Sequence, residues 1–349
     1  MKTMRLAAVF IMLSALVLAA GCAAVQADTQ EETLSITGLG EDIIVPISEI
    51  IKLDAYEGEV KGADSQGDPV EYTVKGSYFA DLLENLGYSQ EDLAGIRIVA
   101  TDGYSIEVSK EILKARDVIL AYEMDGKPLD ADNAPLRVFI PEERAMYWVK
   151  MVQKIEVIEV EAPLSVGGVY IMESLYGSGD YEDYTFIAQT YKVLDTNKIL
   201  GDYPGTKGGV VLMTASDGLE KNETLENFYK GVISMTGQDS PQFFSNVLPG
   251  GMFVKNLKLF KYGGNAFYFI TSTIKEAEAL GESVTLESIA VEAGLTQAEE
   301  YTLYFGDGQQ MIIDAAQLSS WVIGIENEKV SAANGSVESQ IVSIKSNNQ

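Results

Sequence analysis

Two of the side chains that most often do chemistry in proteins are nearly missing here. Among 349 residues there is no histidine and a single cysteine, Cys22. The side chain that titrates near neutral pH, also the commonest metal ligand, is therefore absent. Ser–His and Cys–His nucleophile pairs cannot be assembled. Zinc sites built from Cys and His within one chain are excluded, and one cysteine cannot close an intramolecular disulfide. What remains is oxygen chemistry and aromatic surface. Asp130, Asp132 and Asn133 form one acidic loop, and Asp64 with Asp68 another. Hard cations take such ligands, but neither loop has the full spacing of a calcium loop, and solvated turn residues explain both. Tyr176, Asp180, Tyr181, Glu182, Asp183 and Tyr184 set aromatic rings among carboxylates. That combination suits sugars or cations. Tyr181 and Tyr184 are its ligand-binding candidates, against the plainer reading that these rings cover a sheet face. Asp102, Asp217 and Asp307 each precede a glycine, so a turn accounts for them without a catalytic role. No residue is assigned as catalytic and none as a metal ligand.

The charge balance narrows the partners. Fifty-two acidic residues against 25 basic ones give a formal charge of -27. Such a surface repels phosphate backbones and anionic headgroups, which argues against nucleic-acid binding and against a basic membrane patch. With 46% apolar and 22% charged residues the chain can build packed cores, and its length allows two or three domains.

The first residues carry an address. Lys2 and Arg5 precede an apolar run over 6–20, broken by Ser14, and then Leu18-Ala19-Ala20-Gly21-Cys22. The run is shorter than the ~20 residues of a membrane span and reads as a secretory signal peptide. Its end resembles the lipobox of bacterial lipoproteins. The resemblance implies cleavage after residue 21 and lipidation of Cys22, and acyl chains at about 0.8 kcal/mol per buried CH₂ would anchor the protein. The expectation is an exported protein held on the outer face of the bacterial cytoplasmic membrane, or on an outer membrane if the host has one. Residues 22–32 are polar and small and read as a tether.

Periodicity places the remaining elements. Phe79, Leu82, Leu83 and Leu86 fall at helical spacing, and Gly87 ends that helix. Strands are expected over 96–100 and 104–108 around Asp102-Gly103, a pair that suits a tight hairpin turn because both positions tolerate positive φ. A short helix over 110–114, a buried strand over 118–122, a second turn at Asp125-Gly126, and strands over 136–140 and 148–160 follow. Further strands are expected over 185–194 and 208–215, and Trp148 and Trp321 are expected in the core. Thr214-Ala215-Ser216-Asp217-Gly218 repeats the pattern of Val99-Ala100-Thr101-Asp102-Gly103, and residues from 283 onward repeat the order helix, glycine, strand, Asp307-Gly308, strand. We read three degenerate copies of one α+β unit, with boundaries 33–163, 164–262 and 263–349; 164–349 could equally form one domain.

The segments LLENLG, ATDGY, ILAYEMDGKPL, APLRVFIP and a late VK before IEV make residues 74–160 resemble the sulfite-oxidase-like, oxidoreductase molybdopterin-binding domain family. The resemblance implies a fold of mixed β-sheets with short helices, and oxidoreductase chemistry on a molybdopterin cofactor. It implies that Arg137 and Lys150, with Lys255 as the matching lysine of the second copy, bind that cofactor. The family holds molybdenum through a cysteine thiolate and often sets histidine and arginine around the pterin phosphate. Here Tyr147 and Met151 stand where the family has arginine and tryptophan, and the export signal lacks the twin arginine used by proteins that leave the cell folded. Three readings follow. The favoured one is a non-catalytic binding or scaffolding lipoprotein with this fold, no cofactor, and an unidentified small ligand or protein partner. The others are a molybdopterin-dependent oxidoreductase and a solute-binding lipoprotein centred on Tyr181 and Tyr184.

Overall fold

Alternation of apolar and polar side chains drives most of this chain into strands, because successive side chains on a strand point to opposite faces. In Thr33–Thr37, Leu34 and Ile36 point inward. In Gly95–Ala100, Ile96 and Ile98 do the same. The computed structural model describes residues 31–64, 67–158, 166–203, 209–326, 329–335 and 337–347. The signal segment and Cys22 lie outside them. Among the described residues no helix is long and apolar enough to cross a membrane.

The architecture is α+β, with mixed sheets and few short helices. A five-stranded sheet has the order Ile43–Pro46, Thr33–Thr37, Val152–Val157, Gly95–Ala100, Ser105–Ser109. A second sheet lies alongside it in sequence: Ala55–Ala63, Pro69–Tyr78 and Ile119–Met124, with Lys127–Pro128 and Arg137–Phe139 both pairing the last of these. Further along, one eight-stranded sheet takes strands from both later thirds of the chain. Its order is Glu220–Thr224, Val210–Ala215, Leu257–Tyr262, Asn265–Tyr268, Gly168–Ile171, Ile341–Ser346, Glu300–Phe305, Gln310–Asp314. Smaller sheets of four and three strands complete the fold.

One backbone arrangement occurs three times. Each Asp-Gly sits in a hairpin whose first strand also pairs, antiparallel, with a strand returning later in the chain. Ala100 N donates to Tyr104 O, Ala215 N to Leu219 O and Phe305 N to Gln309 O. Just past each first strand, Thr101 N donates to Met151 O, Ser216 N to Asn256 O and Gly306 N to Gln340 O. The register shifts at the same place in each pairing, next to Ala100, Ala215 and Phe305.

Several local expectations need correction. In the three recurrent hairpins the aspartates do not adopt positive φ; Gly103, Gly218 and Gly308 do. Each aspartate instead accepts a hydrogen bond from the backbone two residues on, at Tyr104, Leu219 and Gln309. These are longer turns in which glycine alone takes the left-handed position. Asp125-Gly126 is the two-residue turn, with φ of 51° and 73°. The strand expected over 148–160 begins only at Val152. Residues 145–147 form a 3-10 turn, and Met151 has φ of 50°, which interrupts an extended run. The strand expected over 185–194 is two strands folded back on each other at Ile187 and Ala188, both at positive φ. Trp148 and Trp321 are buried, as their size demands.

Candidate functional site

Arg137 opens a short strand antiparallel to Ile119–Met124 and is 6% exposed. Its guanidinium lies over Phe139 (4.7 Å to the ring centroid) and Tyr72 (5.0 Å). Nη1 donates to Asn133 Oδ1 at 3.0 Å and lies 3.3 Å from Met124 Sδ. Asn133 is held in turn by Asp130 Oδ1, 2.6 Å from its Nδ2. Arg137 Nε has no hydrogen-bond partner among the described residues. Burial pushes the guanidinium pKa below its ordinary value, though an arginine stays charged. Trp148 closes the aromatic group, 5.2 Å from Phe139, and donates from Nε1 to Ile140 O. The acidic loop at 130–133 is thus a bracket for a buried cation, and Asp64 likewise caps a turn by accepting from Asp68 N.

The other two cations proposed for the cofactor lie elsewhere in character. Lys150 is exposed, between the 3-10 turn at 145–147 and the strand Val152–Val157. Lys255 is exposed and paired with Asp239 at 2.9 Å. The aromatic–acidic segment is built into its own hairpin. Tyr181 donates from its hydroxyl to Tyr176 O, and the Tyr184 hydroxyl accepts from Asn246 N. Tyr184 also packs edge-on against Phe244, and Asp180 pairs with Lys198. Both candidate tyrosines therefore hold structure at their polar ends.

A polar cluster that the residue pattern did not single out joins the first two Asp-Gly hairpins. The edge strands Ser105–Ser109 and Glu220–Thr224 pack against each other. Asn222 Nδ2 donates to Glu107 Oε1 at 2.5 Å. The other Glu107 oxygen pairs with Arg97, which also reaches Glu156. Burial raises the Glu107 pKa above its usual value, against the pull of Arg97 and Asn222. Next to it, Lys221 and Glu223 are an ion pair sealed from solvent, 3.4 Å apart. Lys221 also donates to Met252 O, and Glu223 Oε1 accepts from Thr224 N and Asn227 Nδ2. Arg144 meets Asp217 at 3.5 Å, and Tyr104 lies so close to Gly251 that a Cβ there would stand 2.9 Å from its ring. The available signal was the hairpin frame: Lys221 and Glu223 occupy the inward positions that Ile106 and Val108 hold in the first Asp-Gly hairpin.

Comparison with known proteins bears on residues 54–165. Residues 54–165 match the family described as oxidoreductase molybdopterin binding domain, and this segment is such a domain in sequence. Over 124 residues, 33% of this chain, it is 30% identical to mitochondrial sulfite oxidase of Drosophila melanogaster. The match covers 21% of that protein, so the chain spans about a fifth of the length of this curated relative. The crystal structure of the sulfane dehydrogenase SoxCD from Paracoccus pantotrophus aligns over 67% of this chain and 68% of that one, with 15% identity and a TM-score of 0.33.

Proposed function

We propose that this protein is an exported lipoprotein, anchored through Cys22, that uses a molybdopterin-domain fold for binding or scaffolding and not for redox catalysis. The observation that carries this reading is the state of Arg137. The cation expected to grip a pterin phosphate is sealed between Tyr72 and Phe139 and already donates to Asn133. A phosphate needs donors that converge on open space. Lys150 and Lys255 are solvent-facing, and Lys255 is committed to Asp239.

The donor set does not fit the metal either. Molybdenum in this family is held by a thiolate, a soft ligand. The chain's one cysteine is Cys22, which lies in the lipobox-like segment. In this reading the three recurrent units are degenerate copies of one α+β ancestor. The first keeps the recognisable family sequence, and the later two share a sheet. Membrane attachment comes from the lipid, and the acidic surface keeps nucleic acid away.

Two measurements test the reading. Cys22→Ser is expected to move the protein from the membrane to the soluble fraction; retention at the membrane removes the anchor. Metal and pterin analysis of the purified protein is expected to find no stoichiometric molybdenum. The family match over 54–165 favours the alternative, a molybdopterin-dependent oxidoreductase, and one molybdenum per chain would establish that enzyme in place of a scaffold.

A further inference from the structure

Asn334 is the one asparagine of this chain that is followed by a glycine. The pair turns the chain between the strands Lys329–Ala333 and Glu338–Ser339. Gly335 is exposed and takes φ of 82°, a conformation that glycine adopts without steric penalty. Asn334 N donates to Val337 O, and Val337 N donates to Asn334 Oδ1, both at 3.1 Å. The side-chain carbonyl is thus tied to the turn through its oxygen.

The turn holds the parts of a ring closure. A side-chain amide next to the following backbone nitrogen is open to attack by that nitrogen, which closes a cyclic imide. A side chain on the attacking residue would crowd its nitrogen. Gly335 has none, and a Cβ built there would meet nothing within 4 Å. Among the described residues the Gly335 N–H donates to no backbone acceptor. The electrophile is assisted as well. Negative charge develops on the amide oxygen as the nitrogen adds, and the Val337 N–H already donates to that oxygen. Asp102, Asp125, Asp217 and Asp307 also precede glycine, but an ionised carboxylate is a poor electrophile.

We propose that Asn334 is a site of spontaneous covalent modification, in which the Gly335 nitrogen displaces the side-chain amide. Solvent hydroxide takes the Gly335 amide proton. The nitrogen bonds to Asn334 Cγ, the Cγ–Nδ2 bond breaks, and Nδ2 leaves as ammonia with a proton returned from water. Water then opens the imide. Addition at Cγ gives aspartate. Addition at the main-chain carbonyl gives isoaspartate, in which the backbone runs through Cβ and Cγ. Either route exchanges an amide for a carboxylate, with no redox change and no reagent beyond water. The aspartate keeps an acceptor for Val337 N. The isoaspartate lengthens the turn by one backbone atom and strains the pairing of Ala332 with Ser339 and of Ala333 with Glu338. Val330 and Ala332 on that strand are buried in the core, so the change reaches below the surface. The inference does not depend on whether a lipid or a cofactor is bound.

The test is incubation of the folded full chain in mildly alkaline buffer, followed by peptide mass mapping that separates aspartyl from isoaspartyl forms. The peptide carrying Asn334 should gain the mass of an amide-to-acid exchange, at a rate that rises with hydroxide, and isoaspartate should be present. Asn334→Gln should stay unmodified, because its longer side chain closes a larger ring more slowly. Val337→Pro removes the donor to Oδ1. It should slow the reaction of the folded chain about tenfold, a change of about 1.4 kcal/mol, and leave the rate in urea unchanged, with melting curves showing the variant folded. The parent chain tests the same point without a substitution: its folded form should react at least as fast as its urea-unfolded form. An Asn334 that folding protects, a folded rate indifferent to Val337→Pro, or other asparagines reacting first would each overturn the inference.

Discussion

Asn222 donates to Glu107 across the contact between two hairpins that share one backbone plan. This bond locates the junction between the segment with the recognisable family sequence and the rest of the chain. Removing the donor leaves the Glu107 carboxylate buried with Arg97 as its remaining strong partner. Asn222→Ala is expected to cost about 1–3 kcal/mol, read as a lowered urea midpoint. An unchanged midpoint would mean that water replaces the amide at no cost, and that the contact is loosely packed.

The same carboxylate makes a pH prediction. Its folded pKa lies above the ordinary value of 4.5, chiefly through burial. The folded state therefore holds this proton more tightly than the unfolded chain, and folding takes up a proton between the two values. The stabilisation is complete below the unfolded pKa and is lost as pH rises through the raised folded one. Glu173, buried at the first turn of the helix Ile270–Leu280, is shifted in the same direction by burial and adds the same sign. Melting temperature should fall as pH rises above the ordinary carboxylate value of 4.5, and Glu107→Gln should make that fall shallower. An equal slope in the variant would show that Glu107 does not contribute.

Lys221 and Glu223 stand where the other two Asp-Gly hairpins carry Ile106 with Val108 and Met311 with Ile313. A buried ion pair is often no more stable than the apolar residues it replaces, whereas breaking one costs about 3–5 kcal/mol. Lys221→Met alone should therefore destabilise strongly. Adding Glu223→Ile should restore most of the loss. Equal instability of the single and double variants would show that the pair's hydrogen bonds to Met252 and Asn227 are what the site requires.

Arg137 supplies the sharpest distinction between a ligand contact and a structural cation. Arg137→Met leaves Asn133 Oδ1 without its donor and removes the charge stacked on Tyr72 and Phe139. A loss of about 1–3 kcal/mol is expected. Arg137→Lys should not restore it, since an ammonium cannot stack as a planar guanidinium does. A variant as stable as the parent would mean that Arg137 is kept for a ligand and not for the fold.

How much of this was legible in the sequence depends on the range of the interaction. The helix at Phe79, the strand flanking Asp102-Gly103 and the burial of both tryptophans follow from local spacing, and the fold carries them. The turns lie where the Asp-Gly pairs stand, but their geometry differs from that of a tight dipeptide turn because Asp102, Asp217 and Asp307 use their side chains to cap the turn, which a dipeptide pattern does not reveal. The break before Val152 depends on Met151 at positive φ, a conformation that no residue type there announces. Arg137 resembles a family position in sequence, but its aromatic bracket draws on Tyr72, distant in the chain. The Glu107–Asn222 contact was hidden for the same reason: it exists only once two sheets meet.

The central claim is that this molybdopterin-domain fold works without its cofactor. The direct measurement is the molybdenum and pterin content of the full chain, purified from its membrane after growth with ample molybdate. The account predicts far less than one metal per chain, and no pterin released on denaturation. One molybdenum and one pterin per folded chain would contradict it.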